Sequence, residues 1–354
     1  MSEKSEFPHL AQLGDANPNS GESVTAFAWV QDVREGRTKD GRPFVDLTLA
    51  DTQGALACKI WAEEPRAIEA ARTLERGCAV KVLGVARDYR GAVQLNVIRI
   101  RAISVGEPGY DPDTVFGAGF AAIEDLRCQT LVFDIETVPA VDLRKVPPTI
   151  AQAVAKAAER GDGDEGKVMS LSPLFGKVVS IAVGEGEVEL EEQAVRVMAV
   201  PPEGREDAEF PEWIRPMSEP EMLRAFWQLA GVADLIVTYN GSGFDIPFLV
   251  MRSLIHGIPA SVDLVSKPFS LRPHLDLYKA LYPRRAMGPS SLDVVCWALG
   301  ITSPKGEMDG SMVAPTYAMG DIETIAEYNL GDVRATTAVY HHVRDHLLRF
   351  RKDW

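Results

Sequence analysis

The sequence predicts two unlike domains, a small all-β barrel followed by a larger α/β domain on a mixed central sheet. Three observations carry this. Between Ser23 and Arg101, short apolar segments follow the two-residue period of strands and enclose one helical stretch. A span rich in Gly and Pro comes next. Beyond it, apolar strand candidates alternate with amphipathic helices. At 354 residues with 46% hydrophobic side chains, the chain is long and apolar enough to fill two cores.

Residues 1–21 hold Pro, Asn, Gly and Ser without periodicity and read as a flexible leader. The first domain is assigned to 22–104. In it Val45, Leu47 and Leu49 alternate with Phe44, Asp46 and Thr48, and Leu56, Cys58 and Ile60 alternate with Ala57, Lys59 and Trp61. Turn signals stand at Lys39-Asp40-Gly41 and Asp51-Thr52-Gln53-Gly54. A helical stretch from Glu63 to Leu74 precedes strands near Cys78 to Ala86 and Ala92 to Arg101. In the last strand Val93, Leu95 and Val97 share one phase and Ile98 and Ile100 take the other, which predicts a bulge. The order βββαββ in so short a span is that of an OB-fold barrel.

Residues 105–127, with Gly106, Pro108, Gly109, Pro112, Gly117 and Gly119, have linker composition. Gly117-x-Gly119 lacks the third glycine and the preceding strand of a dinucleotide fingerprint. The second domain, 128–354, carries strand candidates at Thr130 to Phe133, Val178 to Val183, Val195 to Val200 and Leu235 to Tyr239. Helices are expected at Glu219 to Ala230, Ile246 to Ile255, Leu292 to Leu299 and Ile322 to Leu348. The stretch from Val141 to Lys167, with Gly161-Asp-Gly-Asp-Glu-Gly166, reads as a solvated loop.

Three acidic elements stand out in this second half. The strand Leu131-Val-Phe runs into Asp134-Ile-Glu136, and residues i and i+2 of a strand share a face with Cα atoms roughly 6.6 Å apart. Two neighbouring buried anions are costly without a cation. The same tripeptide at Asp321-Ile-Glu323 opens a helix after Gly320, where Asp321 suits an N-cap. The second element is Tyr239-Asn-Gly-Ser-Gly-Phe-Asp245, in which a strand ends and a glycine-rich turn leads into a helix that Asp245 would ordinarily cap. The third is Tyr328-x-x-x-Asp332, one face of the long C-terminal helix.

Together these elements resemble the DEDD superfamily of DnaQ-like 3′-5′ exonucleases, in the branch related to the proofreading domain of family-B DNA polymerases. Asp134 and Glu136 match its first motif, Asn240 through Phe244-Asp245 its second, and Tyr328 with Asp332 its third. The likeness continues through His274-Leu-Asp276-Leu, Ser291-Leu-Asp293 and Lys305 to Val313. In the sister branch a histidine stands five residues before the last Asp, whereas this chain has Glu327 there, so the tyrosine (DEDDy) type is indicated. The run Gly41 to Gly54, ending in Lys59-Ile-Trp61, resembles nucleic-acid-binding OB-folds of the tRNA-anticodon type, which also occur fused to bacterial exoribonucleases.

The resemblance implies an RNase H-like fold and a metal-dependent 3′-5′ exonuclease. Phosphodiester hydrolysis needs charge stabilisation and an activated water, which paired divalent ions supply. Asp134, Glu136, Asp245 and Asp332 would ligate two ions, Mg²⁺ or Mn²⁺, which favour oxygen donors. Tyr328 would orient water, since a phenol of pKa near 10 is a poor base at neutral pH. Asn240, Phe244 and Arg252 are candidate substrate contacts, with Lys305 and Arg334 as further cations. On the barrel, Lys39, Arg42, Phe44, Lys59 and Trp61 are candidate contacts to single-stranded DNA or RNA, with Trp29, Tyr89 and Arg90 beside them. A protein partner is the other use open to the barrel, and a catalytically inactive binding protein that keeps the exonuclease fold is the alternative to an enzyme.

Charge qualifies this picture. The net charge is −14, against the excess of Lys and Arg usual for phosphate binding. Residues 23–101 nonetheless hold 13 Lys+Arg against 10 Asp+Glu, so the deficit lies elsewhere. Cys58, Cys78, Cys128 and Cys296 are scattered, with neither zinc-site nor disulfide spacing. No apolar run approaches membrane-spanning length and the N-terminus has no signal-peptide core, so a cytoplasmic protein is expected.

Overall fold

A computed structural model describes residues 7–15, 21–104, 106–161, 163–266, 270–283, 288–302, 308–351 and 354. The chain divides into two compact units, Met1–Gln129 and Thr130–Trp354. Among the described residues, no helix is long and apolar enough to cross a membrane.

The first unit is a closed five-stranded barrel of order β1-β2-β3-β5-β4. Its strands are β1 (Ser23–Arg37), β2 (Pro43–Asp51), β3 (Gly54–Ile60), β4 (Ala79–Tyr89) and β5 (Ala92–Ala102). Alternation dictates the inside: Val30, Val45, Leu47, Leu49, Cys58, Ile60, Val82 and Leu95 are all buried. The phase slip in β5 is a true bulge. Leu83 pairs with Arg99 and Gly84 with Val97, which leaves Ile98 as the extra residue, half-buried rather than inward-facing. Gly84 is required there, because a Cβ would lie 2.6 Å from the Asn96 carbonyl oxygen. The helix between β3 and β4, α2, is shorter than expected, Pro65–Ala71; it follows α1, Leu10–Asp15, in chain order.

Two segments read as loose from composition are packed. Within the expected leader, α1 sends Leu10 and Leu13 into the barrel core, and Asp51 fixes it by accepting from the Leu10 N–H at 2.7 Å. Six helical residues are too few to show a period, so only that i, i+3 pair betrays it. The expected linker contains α3 (Pro112–Phe116) and buries Val115, Phe120, Ile123 and Leu126. Phe116 stacks on both Phe120 and Trp29. Glycine and proline shape the turns there without making the segment free.

The second unit holds a six-stranded sheet of order β11-β10-β6-β7-β8-β9. Its members are β6 (Thr130–Pro139), β7 (Gly176–Glu185), β8 (Arg196–Ala199), β9 (Ile214–Pro216), β10 (Leu235–Thr238) and β11 (His274–Asp276). Pairing is parallel for β10 with β6 and β11 and for β8 with β9, and antiparallel for β7 with β6 and β8. Helices α6 (Glu219–Val232), α7 (Asp245–His256), α9 (Leu292–Leu299) and α11 (Ile322–His346) stand where expected; α8 (Leu277–Leu281) and α10 (Val313–Ala318) are additional. The stretch read as a solvated loop contains α4 (Pro148–Glu159) and α5 (Glu165–Ser170), and α4 buries Val154 and Ala158 at helical spacing. Asp321 does cap α11, accepting from the Thr324 N–H at 3.0 Å. The four cysteines are free thiols, with Cys58 and Cys296 buried.

Candidate active site

The site forms where the sheet reverses direction. From β6 the chain proceeds to β7 and β8 on one side, then returns to add β10 and β11 on the other. Such a switch point opens a crevice beyond the strand ends. β10 stops at Thr238, one residue past its last pair with β6, Val237 with Val132. Asp134 to Glu136 therefore run on beyond the end of β10. The strand itself does not stop at these acids but continues to Pro139, with a register shift after Glu136 where Val179 of β7 is the extra residue.

Alternation along β6 buries Ile135 on one face and leaves Asp134 and Glu136 half-buried on the other. Asp332 reaches them from α11. Ligand oxygens of Asp134, Glu136 and Asp332 all lie within 4.8 Å of one another. The fourth acid arrives from the β10 side of β6. Asp245 is 4% exposed, and its Oδ1 accepts from the Ile135 backbone N–H at 3.2 Å. It is the first residue of α7, with Phe244 at the N-cap position, so its carboxylate serves β6 rather than capping its own helix.

Electrostatics follows from this crowding. Burial, then the Asp245, Asp332 and Glu136 charges, push the Asp134 carboxyl well above its usual range. Burial and the Asp332 and Asp245 charges do the same to Glu136. Asp245 is pushed up to about 7, mainly by burial, although its own backbone N–H and that of Ile135 oppose the rise. An all-oxygen cluster of mutually repelling carboxylates fits a hard divalent cation, whose charge would remove the repulsion. Tyr328 is half-buried and hydrogen-bonds with Asp332. Burial and the three acids raise its pKa, so the phenol keeps its proton.

The glycine-rich turn is held from beneath by a residue to which sequence reasoning gave no role. Asp276, buried at the end of β11, accepts from the N–H groups of Asn240 and Ser242 at 3.0 and 3.1 Å and from the Ser242 hydroxyl at 2.6 Å. These bonds stabilise Asn240 in its left-handed conformation, φ 62°. His274, two residues earlier and on the same face, bonds Thr238 Oγ1 at 2.8 Å; burial lowers its pKa to about 4. The sequence signal was a His-x-Asp pair closing a short strand.

The remaining candidates divide. Phe244 packs against Phe248 beside Asp245. Arg252 is not a strand contact. Its guanidinium is buried and forked onto Glu219 at 2.8 and 2.7 Å, with His256 also on that carboxylate, so it ties α7 to α6. Arg334 is exposed on α11, and Lys305 lies outside the described residues. On the barrel, Lys59 Nζ lies 3.8 Å from the Phe44 ring centroid and 4.8 Å from that of Trp61, while pairing with Asp46 at 2.7 Å. Lys59 and Trp61, with Tyr89 across from them, line a groove of about 370 Å³. Trp29 is committed to Phe116. Lys39 and Arg42 stand exposed in the turn between β1 and β2, where Arg42 meets Glu63 at 3.3 Å. Arg90, at the β4–β5 turn, lies over the Tyr89 ring.

A family model described as a predicted 3′-5′ exonuclease related to the exonuclease domain of PolB matches residues 171–352, more than half of the chain. The chain belongs to this exonuclease family. The matched span holds Asp245, Tyr328 and Asp332 but begins after Asp134 and Glu136, which the fold brings to them. A second model, an OB-fold nucleic acid binding domain of the tRNA anticodon type, matches residues 24–103. The 3′-5′ exoribonuclease YhaM of Geobacillus sp. (strain WCH70) is 33% identical over 87 residues, which is 25% of this chain and 26% of that protein. The chain thus matches about a quarter of this relative's length. Among solved structures, the family B DNA polymerase of Pyrobaculum calidifontis aligns at 17% identity and TM-score 0.42, over 90% of this chain and 46% of the polymerase. The second OB-fold domain of replication protein A from Methanococcus maripaludis aligns at 20% identity and TM-score 0.20, over 29% of this chain and 94% of that one.

Proposed function

We propose that this chain is a metal-dependent 3′-5′ exonuclease of the DEDDy type that trims single-stranded nucleic acid, with the barrel helping to hold the strand. The observation that carries the reading is the convergence of Asp134, Glu136 and Asp332, with ligand oxygens within 4.8 Å, beside the Ile135 N–H that fixes Asp245. Family membership and the OB-fold match agree with it.

Asp134, Glu136 and Asp332 would hold the metal ions, with Asp245 completing the set directly or through water. When bound, two Mg²⁺ or Mn²⁺ ions supply charge stabilisation at the phosphoryl group and a lowered pKa for water. The Ile135 N–H keeps the Asp245 carboxylate aimed, and Asp276 keeps its loop in place. Tyr328, protonated and hydrogen-bonded with Asp332, orients the attacking water rather than taking its proton. On the barrel, Phe44, Lys59 and Trp61 offer ring faces and a cation to a single strand.

The test uses wild type and Asp134→Asn with 5′-labelled single-stranded DNA and RNA of one sequence, in Mg²⁺, Mn²⁺ or EDTA. A ladder shortening from the 3′ end, absent in the variant and in EDTA, is expected, and it reveals the preferred sugar. Strands that bind but never shorten would replace the enzyme with an inactive binding protein.

A further inference from the structure

We propose that Asn329 is a positioning residue for the metal site, pinning α11 to β7 through Ser180 so that Asp332 stands within reach of Glu136. This rests on the exonuclease reading above. Asn329 and Ser180 are both fully buried, and the Asn329 Nδ2 donates to the Ser180 Oγ at 2.9 Å. Each sits next to an acid of the site. Ser180 pairs with Glu136 across β7 and β6, and directly paired residues point to the same face of a sheet. Asn329 follows Tyr328 and stands three residues before Asp332, so the two share one side of α11. The bond therefore closes a short frame, Glu136 to Ser180 to Asn329 to Asp332, whose last side is the ligand cluster itself.

Packing alone does not call for an amide at this place. Its neighbours along α11, Ile322, Ile325, Ala326 and Val333, belong to the apolar core, and the Asn329 Oδ1 accepts from no protein group among the described residues. Two apolar side chains of the same shape would fill the space with little loss of stability. What apolar contact cannot supply is direction, because it depends on the area covered and not on the angle of approach. A helix held only by Ile, Ala and Val is free to slide or turn slightly on its sheet, whereas a hydrogen bond fixes its register. Ligands must be held within about 0.5 Å of their working positions, and this is the margin the bond protects. The helix does lie close on β7: one turn beyond Asn329, a Cβ added at Gly184 would come 3.2 Å from Val333 Cγ1.

The full chain is prepared with Asn329→Leu and Ser180→Ala, singly and together. Mn²⁺ affinity is read from the electron paramagnetic resonance of the free ion, kcat and KM from shortening of a 5′-labelled single strand, and folding from melting in EDTA. The double variant should melt no lower than wild type, since both polar partners are gone. It should bind Mn²⁺ about tenfold more weakly and lose about tenfold in kcat, with KM unchanged. Each single variant should lose as much Mn²⁺ affinity as the double, because all three break the same bond. Wild-type Mn²⁺ affinity in the double variant would overturn the assignment, as would a loss of affinity that appears only where the melting temperature falls. A wild type that binds Mn²⁺ yet shortens neither DNA nor RNA would refute the exonuclease reading, and the Mn²⁺ affinities would still decide the role of Asn329.

Discussion

Replacing Asp245 by Asn should stabilise the metal-free protein while weakening its response to metal. The Asp245 carboxyl titrates at about 7 in the fold against 3.8 when free. Its folded pKa is raised, so its contribution is fully favourable below pH 3.8 and is lost as pH rises through 7. At pH 8 the ionised group costs about 4 kcal/mol at about 1.36 kcal/mol per unit. Asn keeps the oxygen that accepts from Ile135, so the exchange is nearly isosteric. In EDTA at pH 8, calorimetry of Asp245→Asn should show the larger unit melting about 8–16 °C above wild type. At pH 5 the gap should shrink to about 1.7 kcal/mol by the same linkage, because the folded carboxyl is then protonated while the unfolded one is still ionised. With saturating Mn²⁺ at pH 8 the order should reverse, since wild type with its full set of acids gains the larger binding free energy. A variant less stable than wild type at both pH values without metal would refute the account of the cluster as four mutually repelling acids.

Tyr328→Phe should lower kcat by about 10²-fold, with the alkaline limb of the pH–rate profile unmoved, because the phenol does not titrate in the working range. Trp61→Ala should weaken single-strand binding by about 1–3 kcal/mol, read by fluorescence anisotropy, with little change in melting temperature because the ring is 37% exposed. Arg252→Ala strands the buried Glu219 carboxylate, so urea unfolding should show a loss of about 3–5 kcal/mol, with KM unchanged in the protein that remains folded.

The barrel was legible because β2, β3 and β5 keep a two-residue apolar period, and even the Ile98 bulge appears as a slip in that period. Among the acids, Asp134, Glu136 and Asp332 come together in the fold, and Asp245 bonds the strand that carries the first two, so the spacing of acidic residues in sequence did point to residues that the fold makes neighbours. What escaped is tertiary. Arg252 reads as a free cation in sequence, yet Glu219, 33 residues away, claims it. Asp276 is an ordinary acid until the turn above it presents two N–H groups. Leu10, Leu13, Phe116 and Phe120 lie in segments whose composition favours loops, and only a neighbouring apolar surface makes them core.

The position of β6 governs how the chain can be dissected. It pairs with β7 on one side and β10 on the other, so it joins the two halves of the sheet. A fragment beginning at residue 171, where the exonuclease family match starts, would lose this strand together with two of the four acids. Two apolar edges, the ten-residue β7 and the four-residue β10, would then offer unpaired backbone N–H and C=O groups to any passing chain. Such a fragment should aggregate on expression, whereas one beginning before Thr130 retains the central strand and stays dispersed.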